Sequence, residues 1–300
     1  MMQPYAMSAA ELSLCMIVKN EERKLASCLE SVAGLAPEII VVDTGSTDRT
    51  LDVSLRYGAQ VVAFDFAFVD FAAARNRALR SANGRWILAL DADETLQPAS
   101  VPLIQSLVAR DENAGYYFQR LNHHDGAQDA TADYAVRLFP NRPAYHYRGR
   151  VHETIDDSIL AAGGRLLRTE IRIDHDFASD PETRRCRNLW YVGILNEEIA
   201  ADPTDCSRLV FLAAEYHQLG MFEKAAEVTE RLAVLRPLDA QVRLHAGAYH
   251  LLYTSERDRA RADFTEALRL RPGYAEAQAF LDRMEREERA SIPEREPVAT

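Results

Sequence analysis

The chain has 300 residues, 47% of them hydrophobic, which is enough for more than one packed domain. Lys and Arg total 35 against 46 Asp and Glu, and the formal net charge of −11 argues against nucleic acid or an anionic membrane surface as a partner. The four cysteines show no metal-finger or disulfide spacing, and we recognise no secretory signal and no apolar run of membrane-spanning length. We therefore expect a cytoplasmic protein.

The first part of the chain alternates short apolar runs with amphipathic segments. Strands are predicted where an apolar run is continuous, because a strand buried on both faces shows no polar alternation. Strand–helix alternation predicts right-handed parallel crossovers and a doubly wound α/β sheet. The predicted strands are 12–18, 38–42, 60–64 and 86–90, and the predicted helices are 21–33, 47–57 and 70–81.

The pattern changes twice farther along the chain. Aromatic and β-branched runs between residues 115 and 176 predict mixed or antiparallel strands that complete the sheet. From Pro181 the pattern is helical, and Pro203, Pro237 and Pro272 follow one another at intervals of 34 and 35 residues. A repeat of this length resembles the tetratricopeptide repeat. We predict a catalytic α/β domain over 1–178, helical repeats over 179–290 and a disordered tail over 291–300.

The segment Asp91-Ala92-Asp93 directly follows a predicted buried strand, where doubly wound sheets bind their ligands. Side chains two apart in an extended segment point the same way, so both carboxylates are expected to face one ligand. Carboxylate oxygens suit Mg²⁺ or Mn²⁺, which would neutralise a departing diphosphate. The alternative is that Asp91 or Asp93 caps a following helix.

Two more segments offer groups for a nucleotide. In the run from Asp43 to Asp48, Gly45 allows a tight turn and Asp43 can accept hydrogen bonds from a base or ribose. An ordinary strand–turn–helix with a capping cluster explains the same residues. Arg75, on the third predicted helix, can reach a nucleobase or phosphate, although a solvated helix arginine is the commoner case.

Glu153 and two histidines are the remaining candidates. Glu153 follows a flexible Gly-containing loop and could act as a general base on an acceptor hydroxyl or thiol, or it could be a glutamate at a helix start. His152 could orient Glu153 or approach the metal, or be an ordinary polar neighbour. His175 ends the last predicted strand and could complete the metal shell, although a lone histidine is more often structural.

Together these segments resemble glycosyltransferase family 2, which has the GT-A fold. Four motifs in the expected order and spacing carry the resemblance, and residues 137–175 are similar to a subgroup with C-terminal tetratricopeptide repeats, relatives of bacterial S- and O-glycosyltransferases that modify peptides. The chain lacks the Gln-x-x-Arg-Trp signature of processive synthases and has His152-Glu153 in place of the usual Glu-Asp pair, which favours transfer of a single sugar. The motifs are Leu14 to Glu22, Ile40 to Thr50, Phe71 to Asn76 and Trp86 to Glu94.

The resemblance implies a role for each matching residue. It implies a UDP- or GDP-sugar donor, an Mn²⁺ or Mg²⁺ cofactor, a peptide, protein or glycan acceptor, and Glu153 as the catalytic base. The implied nucleotide-sugar contacts are Val18, Glu21, Asp43, Arg75, Asp91 and Ala92, the implied metal ligands are Asp93 and His175, and His152 and Arg137 are possible further members.

Two functions of different classes follow from these patterns. The first is metal-dependent, inverting transfer of a sugar from a nucleotide sugar by a glycosyltransferase of the hexosyltransferase class. The alternative is a tetratricopeptide protein-binding adaptor with a non-catalytic nucleotide-sugar-binding domain, since helical repeats offer concave docking surfaces. The repeats are also a possible surface for a homodimer.

Overall fold

The computed structural model describes residues 11–110, 112–123, 130–176 and 180–290. The chain divides into two compact units, Met1–Asp180 and Pro181–Thr300. The predicted boundary at 178/179 and the predicted disordered tail at 291–300 lie outside the described residues.

The described part of the first unit forms an eight-stranded mixed sheet in the order β3-β2-β1-β4-β7-β6-β8-β5. The strands β3, β2, β1 and β4 are parallel to one another, and β7 joins β4 antiparallel. This confirms the predicted parallel half and the predicted mixed completion of the sheet. The strands are β1 (Leu12–Val18), β2 (Glu38–Asp43), β3 (Gln60–Ala63), β4 (Trp86–Ala89), β5 (Glu94–Leu96), β6 (Ala114–His123), β7 (Thr131–Pro140) and β8 (Arg165–Asp176).

Helices cover both faces of the sheet because alternate residues of its central strands point to opposite sides. Val41 packs with helix residues in one apolar cluster, while Ile40 and Val42 pack in a second. The first cluster contains residues of α1, α2 and α4, and the second contains residues of α3 and α5. The helices are α1 (Leu25–Ser31), α2 (Thr50–Arg56), α3 (Phe71–Ser81), α4 (Val101–Val108) and α5 (Asp156–Ala161).

Two helices begin later than the sequence predicted. The helix predicted from residue 21 begins at Leu25, and the one predicted from 47 begins at Thr50. In each case polar side chains hold the preceding backbone N–H groups in a turn, as Asn20 Oδ1 does for the N–H of Thr47 at 2.7 Å. Asn and Asp side chains compete with helix formation in this way. Asn20 and Gly45, shortly after β1 and β2, therefore remain exposed.

The described part of the second unit consists of paired helices. Each predicted repeat corresponds to one pair, α7 with α8 and α9 with α10, and each of the three spaced prolines follows a helix end by two residues. Gly247 lets α9 approach α10 closely, since a Cβ there would lie 2.7 Å from the ring of Phe264. Among the described helices of the chain, none is long and apolar enough to cross a membrane. The helices are α6 (Pro181–Ala201), α7 (Cys206–Gln218), α8 (Phe222–Leu235), α9 (Ala240–Leu252), α10 (Arg257–Leu270) and α11 (Ala275–Ala290).

Candidate active site

A cluster of charged side chains lies where the parallel strands end. Asp91 follows β4, and its carboxylate accepts from Nη2 of Arg75 and Nη2 of Arg137, each at 2.6 Å. Arg75 comes from α3 and Arg137 from β7, so the cluster gathers three parts of the chain. Burial works against the charge of Asp91, but the guanidinium groups of Arg137 and Arg75 outweigh it and hold the pKa of Asp91 far below its usual range.

Arg75 also holds the proposed base. Its Nε donates to Glu153 Oε1 at 2.5 Å, so one guanidinium bridges Asp91 and Glu153. Arg75 is 7% exposed, which excludes the alternative of a solvated helix arginine. Its guanidinium carbon lies 5.5 Å from the ring centroid of Tyr147, within the range of a cation–π contact. The planar fork of an arginine suits such a bridge, whereas a lysine would present a single point charge.

The segment 91–93 is a turn, so the expectation of an extended segment was wrong. The N–H of Glu94 donates to Asp91 O at 3.1 Å, and the N–H of Asp91 donates to Glu94 Oε2 at 3.0 Å. The next element is the strand β5, which also excludes a helix-capping role for the pair of aspartates. Glu94 is fully buried against Arg137, and burial raises the pKa of Glu94. The turn therefore directs Asp91 toward the arginines and leaves Asp93 at a separate position.

Asp93 faces His175 across the β5–β8 ladder. Glu94 pairs with His175 in that ladder, and Nε2 of His175 lies 3.5 Å from Asp93 Oδ2. This separation exceeds that of an ordinary N–H···O hydrogen bond but is close to the roughly 3 Å between neighbouring ligand atoms around a divalent ion with bonds of about 2.1 Å. The geometry thus fits a cation held between the two side chains.

A hydrogen-bonded chain fixes the ring of His175. Asn122 donates from Nδ2 to Asp133 Oδ2 at 3.2 Å, which assigns its Oδ1 as the acceptor for Nδ1–H of His175 at 2.7 Å. In the neutral imidazole the lone pair then lies on Nε2, toward Asp93. Metal-binding histidines are commonly oriented by such a partner on the other ring nitrogen.

Two strand-end turns interlock beside this pair. Asn20, in the left-handed conformation at φ 58°, accepts from the N–H of Thr47 and donates its own N–H to Ser46 Oγ at 3.0 Å. The carboxylate of Asp43 accepts from the N–H groups of Gly45 and Ser46 at 3.2 and 3.1 Å. Gly45, at φ 100°, supplies the turn that the sequence predicted. Asp43 therefore holds its own turn, and its carboxylate is fixed in position.

Glu21 lies on the other side of the same turns. Its N–H donates to Thr50 Oγ1 at 2.7 Å. Partial burial, and next the negative charge of Asp93, raise the pKa of the Glu21 carboxyl to about 7, with Lys24 opposing them. Burial is the larger cause of this raised pKa, and the nearby charge of Asp93 adds to it.

The side chains of Val18 and Ala92 are buried, at 3% and 4% exposure. Both belong to the apolar core cluster. The carbonyl of Val18 accepts from the N–H and the hydroxyl of Thr44, both at 3.0 Å. Any contact of these two residues with a nucleotide sugar would therefore be made through the backbone.

The loop carrying Glu153 is fastened to α3. Arg148 and Thr154 close it by a pair of backbone hydrogen bonds, and Asn76 binds the backbone of Tyr147 at 2.8 and 2.9 Å. Glu153 precedes the first residue of α5 by three positions, so it is not a glutamate at a helix start. His152 is half-buried and left-handed at φ 49°, which turns the chain immediately before Glu153.

Several supporting residues were not singled out from the sequence. Asn20, Asn76 and Glu94 stand inside the motifs that were recognised, and their position beside a candidate was the available signal. Asn122 gave no signal, because only strand pairing between β6 and β8 brings it to His175.

The cluster carries more carboxylates than guanidinium groups. Arg75, Arg120 and Arg137 are its cations, and Arg120 binds Asp133 through two bonds of 2.8 Å. Among the described residues, these three guanidinium groups, together with Lys24, which pairs with Asp176, face six carboxylates, so a divalent ion would reduce an existing imbalance. Asp93 and His175 would hold it, with open positions for water or phosphate oxygens. The carboxylates are those of Glu21, Asp91, Asp93, Glu94, Asp133 and Glu153.

Comparison with known proteins places the first unit, hereafter the sheet unit, in a family; the second unit is the helical unit. Residues 13–175 match the family described as Glycosyl transferase family 2. A TPR repeat-containing protein of Synechococcus elongatus is 41% identical over 152 residues, which are 51% of this chain and 37% of that protein. The glycosyltransferase SunS of Bacillus subtilis is 23% identical over 223 residues, covering 72% of this chain and 51% of SunS. The chain thus spans about half or less of the length of these relatives.

Among solved structures, S. aureus TarS in complex with UDP-GlcNAc is similar, with a TM-score of 0.49 and 14% identity, covering 88% of this chain and 93% of that one. The family match extends over more than half of the chain and includes the strand ends that form the charged cluster. This chain belongs to glycosyltransferase family 2.

Proposed function

We propose that the chain is a metal-dependent glycosyltransferase that transfers a single hexose, with inversion, from a UDP- or GDP-sugar to a peptide, protein or glycan. The observation that carries the proposal is the pair Asp93 and His175, whose ligand atoms lie 3.5 Å apart in a cluster with excess negative charge. Mn²⁺ or Mg²⁺ bound there would neutralise charge on the leaving diphosphate. Membership of the family supports this reading of the site.

The nucleotide would lie along the interlocked turns. Asp43 would accept hydrogen bonds from the base, Glu21 and the backbone of Val18 would line the pocket, and Arg75 and Asp91 would contact the nucleotide and ribose. Because Arg75 and Asp91 already bind each other, they enter this role as a preorganised pair that needs no new ordering when the donor arrives.

Glu153 is the proposed base. Arg75 occupies Oε1 of Glu153 and fixes the direction of the carboxylate, which has further acceptor capacity for the proton of an acceptor hydroxyl or thiol. His152 and Arg137 would act through their neighbours, His152 by turning the loop before Glu153 and Arg137 by holding Asp91.

The metal pair is tested by titrating Mn²⁺ and a panel of UDP- and GDP-hexoses into the full chain by calorimetry. Asp93→Asn is expected to weaken Mn²⁺ binding about 10-fold or more, since even outer partners of metal ligands contribute that much. Asp174→Asn is the matched control, because it lies beside His175 on β8 but pairs with Gln97 and His123. Equal Mn²⁺ affinity in Asp93→Asn and the unchanged protein would refute the metal assignment.

The base is tested separately from the donor site. Glu153→Gln is expected to lower transfer about 100-fold or more while donor binding persists, because a general base acts on the chemical step. Asp157→Asn, an exposed change in the neighbouring helix α5, is the control. Unchanged transfer by Glu153→Gln would remove Glu153 from the mechanism.

The alternative hypothesis, a tetratricopeptide protein-binding adaptor, makes a different prediction. It requires that cellular function persists in Asp93→Asn with a folded protein and an intact second unit. The two buried guanidinium groups that bind Asp91 favour the enzyme, since buried charges of this kind are costly to keep in a fold that does not use them.

A further inference from the structure

The helical unit contains a second cluster of potential metal ligands, far in sequence from the family match. His250 on α9 is 2% exposed, and its Nε2 lies 2.9 Å from Glu230 Oε1 on α8 and 3.7 Å from Glu256 Oε2. One ligand atom from each of these residues lies within 4.8 Å of the other two. Neighbouring ligands of a transition ion with bonds near 2.1 Å are about 3 to 3.5 Å apart, so small side-chain shifts suffice.

The imidazole of His250 is oriented from its other nitrogen. Nδ1 lies 2.9 Å from Asp263 Oδ2 on α10, and Arg243 holds the second oxygen of Asp263 at 3.1 Å. Without an ion, Nε2–H donates to Glu230 Oε1 at 2.9 Å. An ion would take the place of that proton, because an Nδ1–H that donates to Asp263 leaves Nε2 free to offer its lone pair between the two glutamates. A carboxylate behind the histidine is the usual arrangement in metal sites.

Hydrogen bonds to the carbonyl of His250 fix Glu256 beside it. The N–H of Glu256 donates to His250 O at 2.9 Å, and Thr254 Oγ1 donates to the same carbonyl at 3.3 Å. The turn between α9 and α10 therefore presents the glutamate at a set position. Preorganisation of this kind lowers the entropy cost of binding an ion.

Arg259 now occupies the place of a cation between the glutamates. Its Nη2 lies 2.7 Å from Glu230 Oε1 and its Nη1 3.0 Å from Glu256 Oε2. The side chain of Arg259 is 51% exposed, so it can turn into water at small cost. A divalent ion in place of Arg259, with His250 neutral, brings two positive charges, and Arg243 supplies a third. These three positive charges equal the three negative charges of Glu230, Glu256 and Asp263.

We propose that Glu230, His250 and Glu256 form a binding site for Zn²⁺ or a similar divalent transition ion, with one coordination position open to water. Imidazole and carboxylate are ligands that such ions accept. The ion would join α8, the end of α9 and the start of α10, and so fasten one repeat to the next. This site is separate from sugar transfer and does not depend on it.

Zinc titration of the full chain tests the site, with calorimetry and thermal unfolding as readouts. The measurement is made in an Asp93→Asn background, which weakens any binding by the first unit, and the loss of signal in Glu256→Gln assigns the remaining Zn²⁺ binding to the helices of the second unit. We expect about one equivalent of Zn²⁺ and a rise in Tm that grows with Zn²⁺ concentration. Glu256→Gln and Glu230→Gln should each weaken binding about 10-fold or more, whereas Glu227→Gln, exposed on the same helix α8, should not.

Arg259→Gln separates an ion site from a network of ion pairs. Removing the competing guanidinium should tighten Zn²⁺ binding several-fold if the proposal holds. The proposal is overturned if the Asp93→Asn protein binds no Zn²⁺, if Glu256→Gln binds it as tightly as its parent, or if Arg259→Gln leaves the affinity unchanged. Far-UV circular dichroism of each variant confirms that it is folded.

Discussion

At the scale of single residues, the guanidinium group of Arg75 connects the parts of the candidate active site. It lies between Asp91, which follows β4, and Glu153, which belongs to the loop before α5. Both carboxylates are largely enclosed, with side-chain exposures of 26% and 13%. Their charges are tolerated there because Arg75 satisfies them with directed hydrogen bonds.

Replacing Arg75 should destabilise the sheet unit. Arg75→Gln leaves the enclosed carboxylate of Glu153 without the cation that binds it, while Asp91 retains Arg137, and breaking such a pair costs about 3 kcal/mol or more. Arg75→Lys should recover little of this loss, since a lysine cannot bridge both partners with fixed geometry. Urea unfolding followed by Trp86 fluorescence in a Trp190→Phe background measures the change, because Trp86 is the tryptophan of the sheet unit. A loss below 1 kcal/mol would contradict the account.

Glu21 predicts how the stability of the metal-free protein depends on pH. Its pKa of about 7 in the folded chain lies above the ordinary value of 4.5, so the folded state binds more protons between these values. Stability from this group is therefore present at low pH and is lost as pH rises toward and through 7. Tm measured from pH 5 to pH 8 with a chelator should fall less steeply in Glu21→Gln. An identical slope in both proteins would show that Glu21 is not the group responsible.

At the scale of elements, ladders and helix crossings decide which motif residues meet. The antiparallel pairing of β5 with β8 brings Asp93 to His175, and the parallel pairing of β6 with β8 brings Asn122 behind the histidine. In the second unit, the absence of a side chain at Gly247 sets how closely α9 lies against Phe264 of α10. Close approach is the reason for a small residue at this crossing, since a helix interior otherwise disfavours glycine.

Two glycine substitutions test the packing of the helical unit. Gly247→Ala places a Cβ 2.7 Å from the Phe264 ring and should destabilise the unit by about 1 to 3 kcal/mol through overpacking. Gly193→Ala, on α6, meets nothing within 4 Å and should stabilise by up to about 1 kcal/mol through helix propensity. Thermal unfolding of the two variants should thus shift in opposite directions. A shift in the same direction would show that the α9–α10 contact does not limit the residue at 247.

At the scale of the whole molecule, the two units divide the proposed tasks. Every candidate residue for binding the sugar donor and the ion that would accompany it falls within Met1–Asp180, whereas the repeats and the proposed Zn²⁺ site fall within Pro181–Thr300. Helical repeats expose concave surfaces that suit an extended peptide or protein acceptor. We therefore expect the second unit to contribute to acceptor recognition and not to donor binding.

A chain that ends at Asp180 tests this division. If the sheet unit folds alone, as circular dichroism would show, it should bind the nucleotide sugar with the affinity of the full chain and hydrolyse it slowly, while transfer to the acceptor is lost. Retained transfer would mean that the repeats have no part in acceptor recognition. Loss of donor binding by the folded unit would mean that the site needs the second unit.

The sequence by itself determined the alternation of strands and helices up to β4, the parallel half of the sheet, the paired helices and the identity of most candidate residues. These follow from local information: continuous apolar runs, a repeat of about 34 residues and motifs beside strand ends. What only the tertiary structure decided is which charges neutralise each other. Arg75 and Arg137 bind the carboxylate of Asp91, and Asn122 orients the ring of His175 toward Asp93. These pairings join residues far apart in the chain, and their energies depend on burial and distances that exist only once the sheet has formed.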